Sequence, residues 1–295
     1  FNTTNSSYTH PTSAKRAADL MKFKSIWTQI ANRFIDHPPE LIFEVVNEPY
    51  FELNDDEMDF INLMIIDVIR STGGNNSNRS IIITGGGANS YQAPSTIGDE
   101  VLNYDANLIA SFHYYIPFNF TASSQEQYND FNWGTNADKS TLDSHFDFVK
   151  NWSETNNIPV TLGEFAADNE SGYNYNTGLY GNNGGPVSAD RIEYHRYIAE
   201  QAIDRGFSFS AWCAGNKSTK TIHLRTDNPE TNNIYPGVWV EEVKEALLSH
   251  GEWPTCYGPY NDEIIRNPDF ECGISSQWSF SVLGSAEASL TETEN

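Results

Sequence analysis

Five short, continuously apolar runs, at residues 41–46, 80–84, 107–115, 160–165 and 207–212, are interleaved with stretches of helical periodicity. Residues 15–36 place Leu20, Phe23, Ile26, Trp27, Ile30 and Phe34 on one stripe, and His37-Pro38-Pro39 stops that helix. A second helix is predicted over 56–71, from Met58, Ile61, Met64, Ile65, Val68 and Ile69, ending at Gly73-Gly74. Further helices are predicted over 140–155, 188–204 and 237–249, and the stretches 116–138 and 168–187 read as long loops. Strands without polar alternation are buried on both faces, and helical crossovers between them make the sheet parallel. A doubly wound sheet and a (β/α)8 barrel both satisfy this pattern. Both put their functional residues at the carboxyl ends of strands.

At 295 residues the chain holds one large domain, or one domain with a small appendage. The text changes after about residue 250. Residues 253–261 read as a linker, and 262–295 as β-sandwich text that stops well short of the ~100 residues a sandwich needs. A net charge of −23 disfavours nucleic acid and anionic polysaccharide and suits a neutral glycan. No apolar run approaches the ~20 residues of a membrane span. Cys213, Cys256 and Cys272 imply no disulfide framework. With no initiator Met and no signal peptide, the chain reads as cut from something longer.

Asn47-Glu48-Pro49 follows a buried strand directly. At average residue usage this tripeptide would arise by chance about 0.04 times in such a chain. A second carboxylate, Glu164, lies at the end of another strand, in Val160-Thr161-Leu162-Gly163-Glu164-Phe165. Two glutamates 116 positions apart meet only if the fold brings both strand ends to one cleft. Glycoside hydrolysis needs such a pair: one acid protonates the leaving oxygen, and the other attacks the anomeric carbon or activates water. His113 and Tyr115 share a strand face by the two-residue period, and Trp212 at a fourth strand end offers a flat ring to a pyranose. His113 could contact a carboxylate, and Tyr115 could hold the nucleophile ionised. Each is otherwise an ordinary structural residue. Glu44 has the face parity of Glu48 and is expected to point inward, where it would need a cationic partner.

These residues together resemble glycoside hydrolase family 5, in the clan of (β/α)8-barrel retaining glycosidases. Phe43-Glu44-Val45-Val46-Asn47-Glu48-Pro49 is similar to that family's strand 4, and residues 113–121, from His113 to Thr121, to its strand-6 segment. Residues 158–165 resemble strand 7, and Ser210-Ala211-Trp212 strand 8; the similarity covers about 15–250. The resemblance implies a TIM barrel over 1–252 of which strands 4 to 8 are readable, truncated at the N-terminus. It also implies that 262–295 opens a jelly-roll carbohydrate-binding module, with Asp269 and Glu271 as candidate calcium ligands there. A chain of these residues alone is expected to fold poorly, because an open barrel leaves strand edges unpaired.

Carried over by position, Glu48 is the acid/base and Glu164 the nucleophile. Asn47 would contact the substrate 2-hydroxyl, and His113, Tyr115 and Trp212 would line the site. Phe118 and Trp133, with Tyr173, Tyr175 and Tyr180, are candidates for substrate binding from the two long loops. The chemistry needs no cofactor and no metal. The expected protein is a secreted, monomeric endoglucanase acting on β-1,4 or mixed-linkage glucan, with no nucleic-acid or membrane partner. A β-mannanase or xyloglucanase would use the same strand-end residues. A non-catalytic glycan-binding protein would lack one carboxylate of the pair. A doubly wound cofactor enzyme is disfavoured, since Gly85-Gly86-Gly87 lacks the spacing of a dinucleotide loop.

Overall fold

The computed structural model describes residues 14–49, 53–225 and 237–250. The linker at 253–261, the sandwich-like 262–295, Cys256, Cys272, Asp269 and Glu271 lie outside the described residues. In chain order the elements are α1 (Ala14–Arg33), β1 (Phe43–Glu44), α2 (Asp55–Ser71), β2 (Ile81–Ile83), α3 (Asp99–Leu102), β3 (Leu108–Tyr114), α4 (Phe118–Thr121), α5 (Asn136–Asn156), β4 (Val160–Phe165), β5 (Tyr173–Asn174), β6 (Leu179–Tyr180), α6 (Ser188–Asp204), β7 (Ser208–Ala211), β8 (His223–Arg225), β9 (Gly237–Trp239) and α7 (Glu241–Leu248).

Five strands form one all-parallel sheet in the order β1-β2-β3-β4-β7. That order is sequential and never reverses. A doubly wound sheet reverses its strand order at a switch point, whereas a barrel does not. The sheet is therefore an arc of a (β/α)8 barrel, as the sequence pattern allowed but could not decide.

The helices start where local chemistry starts them. Asn54 and Glu57 close a capping box on α2, with Asp55 and Asp56 adding negative charge at its amino end. Thr135 and Asp138 do the same for α5, which ends at the left-handed Asn157 (φ +53°). The apolar stripe of α2, including Met58, Ile61, Ile65 and Ile69, is buried. Under α5 the core is aromatic: Phe112, Phe146 and Phe207 meet at centroid distances of 5.5–6.0 Å. Trp27 on α1 packs edge-on to Phe43 and donates its indole N–H to the Val45 carbonyl at 3.0 Å. That contact seats α1 against the strand that precedes Glu48.

Two expectations are corrected. The predicted helix over 237–249 begins only at Glu241; Gly237–Trp239 pairs antiparallel with His223–Arg225. Val238 and Trp239 suit a strand better than a helix, and the cross-strand pair His223/Trp239 overrides the helical text that follows. The loop predicted over 168–187 contains a small hairpin, β5–β6. Among the described residues no helix is long and apolar enough to cross a membrane.

Candidate active site

The carboxyl ends of β1, β3 and β4 converge on three side chains. Glu48 lies four residues beyond the end of β1 with φ +39°, a left-handed conformation that is uncommon for a non-glycine residue. His113 Nδ1 stands 2.7 Å from Glu48 Oε1 and 3.6 Å from Glu164 Oε2. The Tyr115 hydroxyl donates to Glu164 Oε2 at 2.8 Å. One ligating atom from each of Glu48, His113 and Glu164 lies within 4.8 Å of the others. Three such atoms could in principle grip a metal ion, but the glutamates are already engaged by His113 and Tyr115.

This meeting depends on an irregularity. The β3–β4 register shifts between Phe112 and His113, so that His113 comes directly opposite Glu164. A second shift on β4 separates Leu162 from Phe165. Bulges of this kind re-aim side chains at the rims of sheets. Gly163 then has a steric task. A Cβ there would sit 2.8 Å from Ser111 Oγ and 2.9 Å from His113 Nε2, so only glycine lets the imidazole lie against β4.

His113 is fixed from behind by a residue the sequence did not single out. The Asn89 amide nitrogen points at His113 Nε2 (3.4 Å), and Asn89 Oδ1 accepts the Thr84 hydroxyl at 2.8 Å. Nε2 is thus the acceptor, and Nδ1 carries the hydrogen it donates to Glu48. Asn89 reaches this place because Gly86, Gly87, Ala88 and Asn89 all take positive φ after β2. The signal was in the sequence as Gly85-Gly86-Gly87 at a strand end, read there only as a failed dinucleotide loop.

The electrostatics are those of a partly desolvated carboxylate cluster. Burial pushes the Glu164 carboxyl above its ordinary value and Glu48 adds to this, while His113 and the Tyr115 hydrogen bond pull it down. Burial and the neighbouring Glu164 push the Tyr115 phenol far above its usual range, so it stays a donor. Glu44 points inward, as its parity suggests. Burial raises its carboxyl too, and its Oε1 is buried with no hydrogen-bond partner among the described residues.

The other expected residues divide. Asn47 is exposed beside Glu48, and Trp212 is half-buried just past β7, its backbone N–H donating to the Phe165 carbonyl at 3.0 Å. Phe118 is exposed on α4. Trp133 is a correction: it is 5% exposed and wedged among Phe120, Tyr194 and Tyr197. Its ring belongs to the core, where an indole contributes most by burial, and it offers no face to a sugar.

Residues 2–218 match the family model described as Cellulase (glycosyl hydrolase family 5). The chain is 34% identical over 241 residues to Endoglucanase H of Acetivibrio thermocellus, covering 80% of this chain and 23% of that protein. It is 34% identical over 253 residues to Endoglucanase A of Clostridium longisporum, covering 81% of this chain and 44% of the relative. The chain therefore spans less than half the length of these curated relatives. A solved structure described as an endoglucanase superposes with a TM-score of 0.63 at 26% identity, covering 83% of this chain and 69% of the other.

Proposed function

The chain belongs to glycosyl hydrolase family 5, and on that premise we propose that it cleaves internal β-1,4 or mixed β-glucan linkages with retention of configuration. Glu48 protonates the departing glycosidic oxygen while Glu164 attacks the anomeric carbon. Glu48, now a carboxylate, then takes a proton from the water that hydrolyses the glycosyl–Glu164 ester. His113 orients Glu48 through its Nδ1–H. Tyr115 stabilises the ionised form of Glu164 that attacks. Asn47 and Trp212, at the ends of β1 and β7, meet the sugar at the reacting position.

The observation that carries the reading is the separation of the two carboxylates. An oxygen of each lies within 4.8 Å of the other. Retaining enzymes hold the pair ≈ 5–5.5 Å apart, and inverting ones ≈ 6.5–9.5 Å to admit a water. The names of the relatives favour glucan, and the charge of −23 favours a neutral polymer. A polymer cannot enter a cell intact, so the reading places the enzyme outside it.

Reducing-sugar release from barley β-glucan, carboxymethyl cellulose, glucomannan and xyloglucan tests this, beside Glu48→Gln and Glu164→Gln. We expect barley glucan to be the best substrate and each variant to lose at least a thousandfold in kcat. Preference for glucomannan or xyloglucan would reassign the substrate within the family. Near-normal rates in either variant would remove the catalytic assignment, and binding without any turnover would favour a glycan-binding protein.

A further inference from the structure

Tyr115 lies one residue beyond the last ladder pair of β3 with β4, Tyr114 opposite Phe165. Past that point a carbonyl shielded from water needs a donor from elsewhere. Two buried hydroxyls supply it. The Tyr194 hydroxyl donates to the carbonyls on either side of Tyr115, those of Tyr114 (3.4 Å) and Ile116 (3.3 Å). Both distances are long for a hydroxyl, as expected of one hydrogen shared by two acceptors. The Thr121 hydroxyl donates to the carbonyl of Tyr115 itself at 2.6 Å. Three consecutive carbonyls are thus held by side chains, and the middle one belongs to the residue whose phenol donates to Glu164 at 2.8 Å.

Local structure places both donors. On α6 the buried stripe that includes Arg191, Tyr194, Ile198 and Ala202 turns inward. Tyr194 is wholly buried, with its ring packed on Phe120 (5.5 Å between centroids) and Trp133 (5.1 Å). A phenylalanine would fill the same space, so what the hydroxyl adds is the reach to the end of β3. Burial holds the Tyr194 phenol well above its usual range, and it stays a donor. Thr121, also wholly buried, ends α4 and accepts the Asp168 N–H on its own carbonyl at 3.0 Å. Asp168 lies four residues past Glu164. Thr121 therefore joins the segment that carries Tyr115 to the segment that follows the carboxylate.

Hydrogen bonds weaken steeply with distance and angle, so a shift of about 1 Å in the Tyr115 backbone is enough to break its bond to Glu164. We infer that Tyr194 and Thr121 are positioning residues, which act through Tyr115 and hold its hydroxyl on the Glu164 carboxylate. For its effect on rate the inference rests on the reading of Glu164 as nucleophile. It goes beyond that reading in making the state of Glu164 depend on two hydroxyls from α6 and α4. The Glu164 carboxyl also faces Glu44 and Glu48 from the β1 side and His113 from β3, so its titration sums all these neighbours. Only an effect that passes through Tyr115 vanishes once Tyr115 is replaced.

Carbon-13 NMR titration of the Glu164 carboxyl, assigned by the signal lost in Glu164→Gln, tests this on Tyr194→Phe, Tyr115→Phe and the double variant. The pH dependence of kcat/KM on barley glucan is read in parallel. Tyr194→Phe should move the Glu164 midpoint and the acid limb upward, because the charged form loses a donor, with kcat down about threefold. In the Tyr115→Phe background the same change should move neither any further. Thr121→Val should act in the same direction, and Thr121→Ser should restore the parent values. An unmoved Glu164 midpoint in both Tyr194→Phe and Thr121→Val would overturn the inference, whatever happens to thermal stability. So would effects that add in full to that of Tyr115→Phe. Turnover with an unmoved midpoint removes the positioning role and leaves the reaction. A midpoint that moves in a protein without turnover removes the reaction and leaves the positioning role.

Discussion

Glu164 is pulled in two directions by its neighbours, and in the proposed reaction that balance sets the pH at which it attacks. Burial and Glu48 raise its carboxyl; His113 and the Tyr115 hydroxyl lower it. Tyr115→Phe deletes a hydrogen bond to the charged form, which is worth about 1.5–3 kcal/mol. The Glu164 carboxyl then rises, and the acid limb of kcat/KM against pH should move upward, with kcat down about tenfold or more. An acid limb that stays in place would show that Tyr115 does not act on Glu164. Gly163 gives a second test of the cluster. The Cβ of Gly163→Ala must displace His113 from β4, so we expect kcat/KM to fall sharply with an unchanged far-ultraviolet dichroism spectrum. Full activity would mean the imidazole tolerates the shift. The glutamates, His113 and Tyr115 were legible because their chemistry has few other uses at strand ends. Trp133 was misread because an indole serves a core and a sugar platform equally well, and only burial tells the two apart. For Asn89 only the glycine run before it was legible, since its role exists through the turn that carries it.

At the scale of elements, the connection into β1 is held by one side chain. Arg79, wholly buried just before β2, uses every donor of its guanidinium. Nε binds Asn76 Oδ1, and the two amino groups bind the carbonyls of Pro38, Leu41, Phe34 and His37 at 2.6–3.0 Å. It also lies 4.8 Å over the Phe43 ring. These carbonyls include the last ones after α1, where a cation is favoured by the helix dipole. Arg79→Lys keeps the charge but cannot reproduce a planar five-donor fork. We expect a loss of about 3 kcal/mol, seen as a lower midpoint in urea or thermal unfolding, and an unchanged midpoint would contradict the bonding described. The helices with strong caps, α2 and α5, were predicted to within a few residues. The misplaced start of α7 reflects pairing between residues 223–225 and 237–239, a contact that local periodicity does not encode.

For the whole molecule, buried and paired carboxyls shape stability in opposite senses across pH. Glu44 and Glu164 have folded values raised by burial. Their contribution is fully present below the ordinary glutamate value of about 4.3 and is lost as pH rises through the folded value. Glu193, held by Arg196 and Lys139, is lowered to about 2. Its contribution is present above the ordinary value and is lost as pH falls through that range. Stability should therefore peak in mildly acid solution and fall on both sides. Glu44→Gln removes one buried acid that has an unpartnered oxygen, and it should flatten the decline toward neutral pH without lowering stability at pH 7. Thermal midpoints measured from pH 3 to 8 for both proteins check this, and a steeper decline in Glu44→Gln would refute it.

The sequence alone determined the layered class of the fold, the two carboxylates and the strand ends that carry them. Hydrophobic periodicity and residue chemistry are local properties, written directly in the order of residues. Tertiary structure decided the rest: that the sheet runs β1-β2-β3-β4-β7 without reversal, that one extra residue in β4, at Gly163, puts His113 opposite Glu164, and that Asn89 fixes the imidazole. The physical reason is that strand order, register and burial arise from contacts between residues tens of positions apart. No window of sequence contains both partners of such a contact.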